Sequence, residues 1–190
     1  LAYLPQGGES HWPVCVRDAV ALGRLPHGRH GAHRHDDEAV LAALRETGTE
    51  SLAERPLTTL SGGERARVLL ARALAVGAPV LLADEPVAHL DPGHQLQVLA
   101  LLRRRVAAGT AVVIVLHDLA LAVRHCDRVV VLDCGRNVAS GLPQDVLNDG
   151  LIGGLYGIRV IRGHHQGKPF LLPWDPLDPD IPPDRSALGF

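Results

Sequence analysis

The segment VLLADEP, residues 80–86, decides the fold. Its four apolar residues, Val80 to Ala83, predict a strand that is buried on both faces, and two acids, Asp84 and Glu85, follow at its carboxyl end. Adjacent carboxylates at the end of a buried strand lose hydration, which costs free energy unless a cation compensates. The pattern therefore favours acids that support Mg²⁺ and activate water over acids that are only solvated.

Strands and helices alternate on both sides of this segment. The predicted strands lie at 1–5, 80–83, 111–116 and 128–132. The predicted helices lie at about 64–76, 92–107, 119–124 and 143–148. Continuous apolar strands separated by helices imply a parallel sheet that is covered on both faces. The predicted fold class is therefore α/β.

Two regions differ from this alternation. Residues 7–60 have apolar positions at helical spacing, which predicts a small helical subdomain, with a Gly/His/Arg loop at 26–35. Prolines are frequent from His164 onward, which predicts an extended or disordered tail over 164–190. We therefore expect one main domain over residues 1–163, followed by the tail.

Composition excludes several classes of protein. The 190 residues carry a formal net charge of −2, with 46% hydrophobic residues, which indicates one globular domain and gives no electrostatic reason to expect nucleic-acid binding. The longest apolar run, Ala111 to Leu116, is far shorter than the ~20 residues that cross a bilayer. Three cysteines without C-x-x-C spacing argue against a disulfide framework or structural zinc.

The basic residues have a further implication. Eighteen of the nineteen are arginine, and the one lysine, Lys168, is followed by Pro169, so no segment matches the P-loop pattern G-x-x-x-x-G-K-[ST]. Methionine is absent as well. We therefore expect this chain to be an internal or carboxyl-terminal piece of a longer protein.

The segment LSGGE, residues 60–64, has a structural and a functional interpretation. In the structural one Ser61 caps a helix and Glu64 reaches back to complete a capping box. In the functional one Gly62 and Gly63 expose backbone N–H groups at the positive end of the helix dipole, which suits a phosphate. Both can hold together, with a γ-phosphate on residues 61–63 while the cap holds the helix.

Three further residues do not indicate a function when each is considered alone. Asp91 before Pro92 fits a helix cap, His117 follows a strand, and Gln6 follows a short strand. With residues 60–64 and the acids after the central strand, however, they form one ordered series. In this order the chain resembles the ATP-binding-cassette ATPases over about residues 1–160.

That resemblance implies a P-loop ATPase core with a helical subdomain, which works with ATP and Mg²⁺ as a head-to-tail homodimer. Each ATP would lie between the P-loop of one subunit and the signature, residues 60–64, of the other. Asp84 would support Mg²⁺ through water, Glu85 would be the general base, Gln6 would sense Mg²⁺ and the attacking water, and His117 would contact the γ-phosphate.

The remaining implied roles concern the opposite site. Ser61, Gly62, Gly63 and Glu64 would bind the γ-phosphate held by the partner subunit, and Asp91 would link the two sites. The P-loop and the adenine-stacking aromatic of the family lie upstream of the matching region. This piece alone is therefore not expected to bind ATP in the usual way.

Within the family, the segments 20–24, 55–57 and 126–133 resemble importers of iron-siderophore, haem or cobalamin complexes. This implies transmembrane permease subunits as partners, a substrate-binding protein as an indirect partner, and a peripheral location on the cytoplasmic face of the cell membrane. The alternative is a soluble cassette ATPase that acts on DNA or ribosomes. Long coiled coils and basic linkers are typical of that class, whereas here the signature and the acidic strand are contiguous and the arginines are dispersed.

Four histidines, His27, His30, His33 and His35, crowd the loop at 26–35, near Asp36 and Asp37. A metal site needs carboxylate or cysteine partners in a defined geometry. Loop histidines separated by glycine and arginine are more often solvated, so we expect no metal there.

Overall fold

The computed structural model describes residues 1–7, 13–27, 33–88 and 90–177, without the side chains of 33–35. The chain divides into two compact units, Leu1–Val115 and Leu116–Phe190.

The first unit contains a three-stranded parallel sheet. Its strands are β1 (Ala2–Leu4), β2 (Val80–Asp84) and β3 (Ala111–Val115), in the order β1-β2-β3. The register aligns Leu4 with Ala83, and Ala83 with Ile114. Parallel strands joined through helices confirm the predicted α/β class.

Only one face of this sheet is covered by the described residues. Leu4 and Ala83 are buried, whereas Tyr3 and Val113 on the opposite face are 57% and 59% exposed. The prediction that both faces are covered is therefore wrong for this part of the chain. A continuous apolar run indicates that both faces of a strand are hydrophobic. It does not show that the layers which cover those two faces both come from the same stretch of chain.

The first unit also contains four α-helices and three short 3₁₀ helices among its described residues. The α-helices are α1 (Val16–Ala21), α2 (His33–Glu46), α3 (Gly62–Ala75) and α4 (Pro92–Ala107). Short 3₁₀ helices occupy Leu22–His27, Glu50–Leu52 and Leu57–Thr59. The described residues between β1 and α3 are thus largely helical, which agrees with the helical region predicted for 7–60. The exact limits of the helical subdomain stay a prediction.

Helices occupy both ends of the loop predicted at 26–35. Pro26 and His27 complete a 3₁₀ helix, and α2 begins at His33. Residues 28–32, including His30, lie outside the described residues. The helical region is held to α3 by Arg24, whose Nε donates to Asp36 Oδ1 at 2.8 Å and whose Nη1 donates to the carbonyl of Ala75 at 2.7 Å.

The second unit contains two antiparallel hairpins and three helices. The hairpins pair β4 (Val129–Asp133) with β5 (Arg136–Gly141), and β6 (Ile158–His165) with β7 (Lys168–Pro176). The helices are α5 (Leu119–His125), α6 (Pro143–Val146) and α7 (Asp149–Tyr156). The strand predicted at 128–132 is therefore present, but it pairs with β5 in a separate antiparallel sheet and does not join the parallel one.

The hairpin β6–β7 corrects the prediction that a tail begins at His164. Its two-residue turn, Gln166-Gly167, has φ values of 51° and 73°, which suit the twist of a tight hairpin. Prolines are tolerated because each strand of a two-stranded sheet has one edge that needs no ladder hydrogen bond. Leu171 is 0% exposed in a core with Val123, Val146, Leu147, Leu151 and Ile152, so burial anchors the hairpin. Residues 178–190 of the predicted tail lie outside the described residues.

Replacing Leu171 tests whether this hairpin is a packed part of the fold. Leu171→Ala removes a fully buried side chain and should lower the free energy of unfolding by about 2–5 kcal/mol. The matched control is Leu172→Ala, since Leu172 is the next residue and is 47% exposed. Urea unfolding followed by circular dichroism measures both, and equal small effects would contradict the packed hairpin.

Candidate functional site

A cavity of about 180 Å³ lies where the ends of β1 and β2 meet the start of α3 in the first unit. Its walls combine apolar side chains, backbone and three ionisable groups. The lining residues are Leu4, Pro5, Gly7, Gly62, Arg65, Ala66, Leu69, Asp84, Glu85, Pro86 and Ala88. A larger recess of about 400 Å³ in the second unit is lined by residues between Val138 and Leu151 with Asp145 as its one ionisable group, so the smaller cavity is the better candidate for chemistry.

Both predicted acids line this cavity. Asp84 is the last residue of β2, and Glu85 follows in the left-handed region at φ 49°. The other described non-glycine residues of positive φ, Cys134 and Gln166, lie in hairpin turns that need this geometry. Glu85 has no hairpin to explain its strained backbone. Strain of this kind clusters at functional sites, so the conformation of Glu85 supports a chemical role.

The start of α3 is built as the predicted capping box. Ser61 Oγ accepts the N–H of Glu64 at 3.2 Å, and Glu64 Oε2 accepts the N–H of Ser61 at 2.8 Å. Arg55 Nη1 lies 3.6 Å from the other oxygen of Glu64. The Ser61 hydrogen bonds, backbone first, lower the pKa of Glu64 below its usual value. The structural interpretation of residues 60–64 is confirmed, and the binding of a γ-phosphate by Ser61 and Glu64 stays a prediction.

The two glycines of this segment differ in their surroundings. A Cβ on Gly62 would meet no described atom within 4 Å, whereas one on Gly63 would lie 3.4 Å from Leu90 Cδ2. Gly62 also lines the cavity. The first turn of α3 therefore has open space beside Gly62, which suits the approach of an anion to backbone N–H groups.

Gln6 lies at the rim of this arrangement. Its neighbours Pro5 and Gly7 line the cavity, while the Gln6 side chain is exposed and does not belong to the lining. Its predicted part in sensing Mg²⁺ and water stays a prediction.

The other two predicted residues, Asp91 and His117, lie just before helices. Asp91 caps α4, because its Oδ1 accepts the N–H of His94 at 3.0 Å. His117 is exposed near the start of the second unit and precedes Asp118, whose Oδ1 accepts the N–H of Ala120 at 2.7 Å and caps α5. The link between sites through Asp91 and the γ-phosphate contact of His117 stay predictions.

Sequence reasoning missed Arg65 as a cavity residue. Gly62, Arg65, Ala66 and Leu69 lie at positions i, i+3, i+4 and i+7, so they share one face of α3. Arg65 Nη2 donates to the carbonyl of Leu60 at 3.4 Å, while its buried Nε makes no hydrogen bond within the described residues. Helical spacing counted from Gly62 was the signal that could have found this cation beside the acids.

The acids offer a partial shell for a divalent cation. Among the described residues, no group of three or more His, Cys, Asp or Glu side chains could enclose a metal. Asp84 and Glu85 nevertheless fit Mg²⁺, which usually keeps several waters and takes one or two carboxylates together with substrate phosphates. In the histidine-rich loop, the ring of His27 lies 2.6 Å from the carbonyl oxygen of Val76.

Comparison with known proteins gives a consistent family. A family model described as an ABC transporter matches residues 1–88. The hemin import ATP-binding protein HmuV of Rhodococcus jostii is 45% identical over 174 residues, which cover 90% of this chain and 60% of that protein. HmuV of Pseudomonas putida is 42% identical over 179 residues, which cover 90% of this chain and 69% of that protein. The chain belongs to the ABC transporter family.

A solved structure supports the fold of this ABC transporter chain. An inward-facing metal-chelate type ABC transporter matches with a TM-score of 0.80 and 26% identity over 91% of this chain and 72% of that one. The predicted P-loop NTPase class is thereby confirmed. This ABC transporter chain spans about 60% of the length of its Rhodococcus relative. None of its described helices is long and apolar enough to span a membrane.

The capping box makes the stability of this ABC transporter chain depend on pH. Because the folded-state pKa of Glu64 is below the usual value of 4.5, its carboxylate stabilises the fold above that value, and this contribution is lost as pH falls through the folded pKa. Glu64→Gln should therefore be less stable than the original chain at pH 7, and the difference should shrink towards pH 3. Urea unfolding at several pH values measures this.

The matched control for this test is Glu54→Gln, which neutralises an acid outside the capping box whose side chain is 79% exposed. Its effect should be small at every pH. A Glu64→Gln difference that stays constant from pH 7 to pH 3 would contradict the assignment.

The strained backbone at Glu85 gives a second test. Asparagine tolerates the left-handed region better than glutamine does, and both remove the charge. Glu85→Asn should therefore be more stable than Glu85→Gln by about 0.5–1 kcal/mol. Thermal and urea unfolding of the two variants measure the difference, and a Glu85→Asn variant that is the less stable of the two would contradict strain at this position.

Proposed function

We propose that this chain forms part of the ATP-binding and hydrolysing subunit of an ABC importer for haem or a related metal chelate. The observation that carries the proposal is the cavity in which Asp84 and Glu85 lie with Gly62 and Arg65 from the start of α3. The two carboxylates suit Mg²⁺ and water activation at the ATP of this subunit. The start of α3 suits the phosphate of an ATP that is bound to another copy of the subunit.

In this proposal each acid has a separate task. Asp84 supports Mg²⁺ through a water molecule, and Mg²⁺ neutralises the charge that phosphoryl transfer develops. Glu85, whose backbone is in the left-handed region and which lines the cavity, accepts a proton from the attacking water. Gln6 and His117 complete the catalytic set, as the resemblance implies.

The signature contributes to a second site. The first turn of α3, with Ser61, Gly62, Gly63 and Glu64, faces the γ-phosphate of an ATP bound to another copy of the subunit, and Asp91 links the two sites. No segment of residues 1–190 matches G-x-x-x-x-G-K-[ST], so a P-loop outside these residues is required for ATP binding in the usual way.

The proposed partners follow from the importer class. The subunit works as a homodimer beneath transmembrane permease subunits, peripherally on the cytoplasmic face of the membrane, and a substrate-binding protein delivers the substrate. Haem is the preferred substrate because relatives at 45% and 42% identity are hemin import proteins by name. These names do not favour the alternative of an ATPase that acts on DNA or ribosomes.

Removal of the general base tests the proposed chemistry. In the full-length protein assembled with its permease in liposomes, Glu85→Gln should cut ATP turnover by ~10²–10⁴, the usual scale of a general base. ATP should still close the dimer, because binding does not require the lost proton acceptor. Measurement of phosphate release and of ATP-dependent crosslinking of the dimer separates the two effects.

The matched control is Glu54→Gln, which removes one acid outside the cavity and should keep normal turnover. Near-normal hydrolysis by Glu85→Gln would remove Glu85 from the base role. Uptake assays with haem, a ferric siderophore and cobalamin then identify the substrate, and capture of DNA or ribosomes without a permease would favour the alternative.

A further inference from the structure

Asp91 and His94 form a closed pair at the start of α4. Asp91 is the N-cap residue, and its Oδ1 accepts the backbone N–H of His94 at 3.0 Å. This is the ordinary helix cap, and any residue except proline at position 94 would supply the same N–H.

The side chain of His94 makes a second contact that the cap does not need. Its Nδ1 lies within hydrogen-bonding distance of Asp91 Oδ2. One residue therefore contacts both carboxylate oxygens, which fixes the plane of the carboxylate as well as its position. The histidine contacts, the side-chain hydrogen bond first, lower the pKa of Asp91 below its ordinary value.

Helix stability does not explain the imidazole. The side chains of His94 and Asp91 are 38% and 60% exposed, and exposed ion pairs contribute little to stability. Histidine is also a weaker helix former than alanine. The contact instead restricts a carboxylate whose outer surface remains accessible to another molecule.

Gly93 leaves little room on the capping side of this carboxylate. A Cβ at this position would lie 3.2 Å from Asp91 Oδ1, so a larger residue would crowd the oxygen that caps α4. In the local sequence Asp-Pro-Gly-His, Asp91 thus caps the helix, Gly93 leaves space beside its carboxylate, and His94 contacts that carboxylate from one side.

We propose that His94 is a positioning residue that fixes the Asp91 carboxylate for contact with a second copy of the chain. This rests on the proposed function, in which Asp91 links the two ATP sites of a dimer. His94 Nδ1 donates its hydrogen to Asp91 Oδ2, and the imidazole itself touches neither ATP nor the reacting atoms.

Two substitutions separate positioning from capping. In His94→Asn the amide nitrogen takes the place of Nδ1 and can still donate to Asp91, whereas His94→Leu keeps side-chain bulk without a donor. Both keep the backbone N–H that caps α4. A melting temperature of each variant equal to that of the original chain shows that the helix cap is intact.

The first measurement is a carbon NMR titration of the Asp91 carboxyl in residues 1–190. The pKa of Asp91 should lie below its usual value in the original chain and in His94→Asn, and it should rise in His94→Leu. An identical titration in His94→Leu and the original chain would overturn the proposal.

The second measurement is ATP turnover by the full-length protein with its permease. His94→Leu should lower kcat, or the factor by which ATP at one site raises the affinity of the other site for ATP. We expect a decrease of at least about fivefold, which is the lower end of ordinary coupling between sites. His94→Asn should recover at least half of the loss. An unchanged kcat and an unchanged Hill coefficient in His94→Leu would overturn the proposal. Absence of ATP hydrolysis in the original protein would instead refute the proposed function. In that case the NMR titration decides whether His94 positions Asp91.

Discussion

The parallel pairing of β1 with β2 is the constraint on which the candidate site depends. Backbone hydrogen bonds align Leu4 with Ala83, although the two residues are far apart in sequence. Parallel strands bring their carboxyl ends to the same edge of the sheet, so the turn at Gly7 and the acids after Ala83 meet at one cavity. A shift of one residue in register would turn the buried side chains of β2 to the exposed face.

Much of the first unit could be predicted from the sequence because its signals are local. The helix predicted at 92–107 is α4 with the same bounds, since Asp91 and Pro92 mark its start and apolar spacing marks its length. The capping box at Ser61 and Glu64 was also predictable, because a cap needs only residues three positions apart. The acids at the end of β2 were predictable as well, because they directly follow an apolar run that is itself a local signal.

The missed features depend on contacts that a local pattern does not contain. Prolines after His164 indicated a tail, but the burial of Leu171 against α5 to α7 makes this segment a strand. Arg65 belongs to the cavity only because α3 turns that face towards the ends of β1 and β2. The contact of His94 with Asp91 Oδ2 depends on a side-chain conformation, which residue spacing allows but does not determine.

The β6–β7 hairpin has a practical consequence for spectroscopy. Lys168, at the start of β7, is exposed and is the one lysine in the sequence. An amine-reactive fluorophore therefore has a single side-chain target, apart from the terminal amine. Residues 1–115 contain no lysine, so a dye on Lys168 is attached to the second unit.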